Sequence, residues 1–67
     1  MVVFKALNTS GYQVLSGDEL LTLDPVGEIY RGSKNKWQFF TYSDLPHGIC
    51  LEEVNAIANF MKELESK

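Results

Sequence analysis

The chain has 67 residues, a formal net charge of −3 at neutral pH, and a composition that is 45% hydrophobic and 12% aromatic. A chain this short buries only roughly 60% of the surface it exposes when unfolded. Its lone cysteine, Cys50, and lone histidine, His47, exclude an internal disulfide and a cysteine–histidine zinc cluster. Six basic residues are too few for a wide phosphate-binding footprint.

The composition is that of a folding chain, so residues 1–67 are expected to form a single small α+β domain. Such a domain carries little core, and association with itself or another protein is the remaining route to added stability. No apolar run approaches the roughly 18 residues of a membrane helix. The segment MVVFKALN lacks the apolar core and cleavage site of a signal peptide, and a lone cysteine suits a reducing compartment. A cytoplasmic location without membrane contact is therefore expected.

Residues 2–7, VVFKAL, are β-branched and aromatic enough to read as a first strand. NTSG at 8–11 is its turn, and YQVL at 12–15 completes a hairpin. SGDELLTLDPVG reads two ways. Ser16 and Glu19 have capping-box spacing and open a helical turn, or LLTL at 20–23 is a strand. Asp24-Pro25-Val26-Gly27 is expected to close that element as a turn. EIYRG at 28–32 and KWQFFTY at 36–42 then flank a polar loop at Ser33, Lys34 and Asn35, which makes a second hairpin.

SDLPHGI is an irregular connection because of Pro46 and Gly48. The last segment, CLEEVNAIANFMKELESK, is an amphipathic helix of about four turns, with Cys50, Val54, Ile57, Met61 and Leu64 along one stripe and Leu51, Ala58 and Phe60 widening it. Cys50 is the expected N-cap, with Glu52 and Glu53 in the first turn, where the helix dipole favours negative charge. The sum is an antiparallel sheet of three to four strands with one C-terminal helix packed on one face.

That architecture poses the functional question. In a strand, Trp37, Phe39 and Thr41 point one way while Gln38, Phe40 and Tyr42 point the other. One helix covers one face, so one aromatic set is left exposed unless residues 20–30 fold over it or a partner buries it. The leading expectation is a non-enzymatic binding or regulatory module acting through a protein partner or its own dimer. Its candidate contacts are Arg31, Lys34, Lys36, Trp37, Phe39, Phe40 and Tyr42.

An alternative is weak nucleic-acid binding, with Arg31, Lys34 and Lys36 on phosphates and Trp37 on a base; the acidic balance disfavours it. A second alternative is a thiol-dependent enzyme using Cys50 and His47, since a histidine beside a thiol at a helix start lowers the thiol's pKa. Neither a third residue to orient His47 nor a glycine-rich phosphate loop is recognisable. Asp18, Glu19 and Asp24 lack calcium-loop spacing, so neither cofactor nor metal is expected.

Overall fold

The computed structural model describes residues 1–8, 10–43 and 48–66, the side chains of Asn8 and Asn35 excepted. Strands form where the sequence is β-branched and aromatic: β1 over Val2–Asn8, β2 over Gly11–Ser16, β3 over Asp24–Arg31 and β4 over Trp37–Thr41. They join in the order β1-β2-β3-β4, every neighbouring pair antiparallel. A single α-helix among the described residues, α1 over Leu51–Glu65, follows the sheet and packs on it. The protein is thus a small α+β fold of the expected kind, with four strands.

The ambiguous stretch resolves into a short 3₁₀ turn at Leu20–Thr22, with Glu19 rather than Ser16 as its N-cap. Thr22 Oγ1 accepts the Glu19 amide at 3.2 Å and donates back to the Glu19 carbonyl at 3.1 Å, so threonine does the capping, while Ser16 belongs to β2. The expected turn at Asp24-Pro25-Val26-Gly27 is replaced by the start of β3. The register explains how proline is accommodated. Val14 pairs with Gly27 but Leu15 pairs with Pro25, so Val26 is the extra residue of a β-bulge. Bulges tolerate proline and re-aim side chains. Here the bulge delivers Val26 into the core.

Gly27, beside the bulge, is required by close approach. A Cβ there would lie 2.4 Å from the Phe40 carbonyl oxygen and 2.7 Å from the Phe39 ring. The second hairpin turns through Ser33–Asn35, with Lys34 in the left-handed region at φ 64°.

The core consists of Val14, Val26, Ile29 and Ile57, with Val2, Phe4, Tyr12, Trp37, Phe39, Phe60, Met61 and Leu64 packed around it. Phe60 stacks on Phe4 with ring centroids 4.0 Å apart and meets Tyr12 edge-on at 5.0 Å, which seats α1 on β1 and β2. Cys50 is the N-cap as expected, its amide donating to Glu53 Oε1 at 2.9 Å. Bonds from the Ser16 hydroxyl and the Cys50 amide hold the Glu53 carboxyl below the usual range, tying the start of the helix to the end of β2. At the other end Glu65 Oε2 accepts the Trp37 amide at 3.1 Å.

The helical stripe is narrower than its sequence. Ile57, Phe60, Met61 and Leu64 face the sheet, whereas Leu51 and Val54 are 73% and 48% exposed and Ala58 and Cys50 are also exposed. At about 100° per residue, Leu51 and Ala58 lie some 100–120° around the helix from Ile57, beyond the reach of a single sheet.

Candidate functional site

Cross-strand partners share a face, so the register sorts every strand residue. Ile29 pairs with Phe39 and Arg31 with Trp37, which puts Trp37 and Phe39 on the side of Tyr12, Val14 and the helix. Trp37 lies against Tyr12 with ring centroids 5.9 Å apart. Of the candidate contacts, these two are therefore committed to the core beneath α1.

The opposite face carries Phe40 and Tyr42. Glu28 pairs with Phe40 on one side and with Gln13 on the other, and Gln13 pairs with Lys5. The row Lys5, Gln13, Glu28, Phe40 thus crosses all four strands on the side away from the helix. Val3 and Leu15, themselves paired, and Tyr30 share this face. Phe40 is 53% exposed at the end of the row.

Glu28 is the hub of a hydrogen-bond network on this open face. The Tyr30 hydroxyl donates to Glu28 Oε1. The Tyr42 hydroxyl donates to Glu28 Oε2 at 2.5 Å, and Gln13 Nε2 donates to the Tyr42 oxygen at 3.2 Å. Bonds from Tyr30 and then Tyr42 hold the Glu28 carboxyl below the usual carboxylate range. The same carboxylate pushes both phenols up from the ordinary tyrosine value. Hydrogen bonding to the charged form of the acid and to the neutral form of the phenols produces both shifts.

Arg31, Lys34 and Lys36 are exposed around the β3–β4 turn, at the end of the sheet where β4 begins. They are grouped as the sequence suggests, but the neighbouring Trp37 ring is packed inward and the exposed ring, Phe40, lies further along β4. Cys50 is exposed at the helix start. His47, the other half of the proposed thiol pair, lies outside the described residues. Among the described residues no three histidine, cysteine or acidic side chains gather as a metal site.

Sequence reasoning passed over Glu28, Tyr30 and Gln13. A usable signal existed: Glu28 and Tyr30 stand two apart in a strand and so share a face. What was missing was the register that sets Tyr42 and Gln13 beside them. Comparison with protein-family models, with curated proteins and with solved structures finds no match to this chain.

Proposed function

We propose that the protein is a non-enzymatic binding module that acts through its open sheet face, engaging a protein partner or a second copy of itself. The observation that supports this reading is the division of β4. Trp37 and Phe39 complete the core, while Phe40 remains more than half exposed beside the Glu28 network. Exposed aromatic residues next to oriented polar groups are the usual composition of a binding surface.

The reading is tested by placing a photocrosslinking amino acid at Phe40 and, as a control, at Asn59 on the exposed side of α1. Irradiation in the native cells should give discrete protein adducts from position 40 and none from position 59. An adduct of twice 7.6 kDa identifies a second copy, and a different mass identifies another protein. Indistinguishable patterns from the two positions would defeat the proposal. Sedimentation equilibrium over a concentration series gives an independent measure of self-association, which stabilises only the folded form.

A further inference from the structure

We infer that Glu28 anchors a guanidinium site on the open face, taking an arginine side chain presented by a protein partner. The inference rests on the binding reading above and specifies the chemistry of what is bound. A carboxylate has room for about four hydrogen bonds. Glu28 accepts one phenol on each oxygen, so both oxygens keep capacity while the two tyrosines and Gln13 fix the group's orientation. The two phenols are what hold the carboxyl ionised.

The surroundings favour arginine over other ligands. Phe40 is the cross-strand neighbour of Glu28, Tyr30 stands two residues along the same strand, and Tyr42 reaches in from beyond β4. Aromatic rings thus border the carboxylate. A planar guanidinium pairs with both oxygens of a carboxylate and stacks on aromatic rings, whereas an ammonium acts as a point charge. A phosphate or carboxylate ligand would meet the Glu28 charge at close range. The net charge of −3 adds a long-range attraction for a basic partner. Lys5, in the same row but two strands away at about 9–10 Å, opposes it weakly.

The test uses the isotope-labelled full chain, titrated with the capped peptide Gly-Arg-Gly-Arg-Gly and its lysine counterpart while amide chemical shifts are followed. The arginine peptide should shift amides clustered at Glu28, Tyr30, Phe40 and Tyr42 and bind severalfold more tightly than the lysine peptide. Glu28→Gln, with its spectrum still dispersed, should weaken binding on the order of tenfold. Lys5→Glu, at an exposed position, should strengthen it, and decides the matter if Glu28→Gln does not fold. Equal affinity for the two peptides, scattered shifts, or an unchanged affinity in Lys5→Glu would overturn the inference. So would a single-stranded oligonucleotide shifting the same amides, which would assign the face to nucleic acid. Phe40 crosslinks that persist when arginine binding fails overturn this inference alone; absence of crosslinks removes the binding reading as well.

Discussion

The two faces of the sheet are built from the same strands and nearly the same residue types, yet they do different work. Under α1, Val14 and Ile29 are fully buried and aromatic rings stack on one another. On the open face the aromatic residues are spent on polar chemistry: Tyr30 and Tyr42 bind a carboxylate, and Phe40 stands in solvent. The difference teaches that the packing of this chain is concentrated on one side, while the other holds an exposed ring beside an oriented carboxylate. Changes to the two faces should therefore separate cleanly.

The largest effect is expected where packing is complete. Ile29→Ala and Ile57→Ala should each cost about 2–5 kcal/mol in urea denaturation, a large share of the stability of a small domain. Substitutions at the exposed Asn59 or Glu63 should fall within about 0.5 kcal/mol of wild type. Comparable losses at all these sites would erase the distinction between the faces.

Gly27→Ala is the next in size. The added methyl group meets the Phe40 carbonyl, which belongs to the strand backbone, and the Phe39 ring. Overpacking of this sort costs about 1–3 kcal/mol, and here it also strains the pairing of β3 with β4. A melting temperature equal to wild type would show that β3 and β4 have slack at this point.

On the open face, Glu28→Gln should change titration more than stability. The folded Glu28 pKa is lowered, so its contribution is present above the ordinary carboxylate range and is lost as pH falls through the folded value. The Tyr30 and Tyr42 pKa values are raised, so theirs is complete below the ordinary tyrosine range and is lost as pH rises through the folded values. The network therefore contributes between about pH 5 and pH 10. In Glu28→Gln, tyrosinate absorbance should appear at lower pH than in the wild type, and the stability difference between the two proteins should shrink outside that window. An unshifted tyrosine titration would argue against the network.

The smallest effect belongs to Phe40→Ala. Phe40 is more than half exposed, so truncating it should cost only about 1 kcal/mol, while arginine-peptide affinity falls. A stability loss as large as that of Ile29→Ala would mean that Phe40 is a core residue.

How much of this was legible in the sequence depends on whether local chemistry or register decides. The helix was, because the apolar spacing and the acidic first turn after Cys50 act within the segment; its edge was not, since a linear stripe takes in Leu51 and Ala58 without knowing how much sheet lies beneath them. The turn at Ser33–Asn35 was readable for the same local reason. Pro25 and Gly27 misled because proline and glycine serve bulges as well as turns, and only the pairing of Leu15 with Pro25 tells them apart. The aromatic residues of β4 posed a symmetrical choice. It was settled by residues distant in sequence, Tyr12 and Ile57 among them, that fill the side of Trp37 and Phe39.

The bond between Glu65 and the Trp37 amide has a consequence for assembly. β4 is an edge strand, and since the Tyr42 amide turns inward to the Val26 carbonyl, the alternate amides of Trp37, Phe39 and Thr41 point away from β3. Unpaired edges invite strands from other chains. A strand adding along the full length of β4 has to dislodge a carboxylate from the first of these donors. The last turn of the helix thus guards the first donor of the β4 edge.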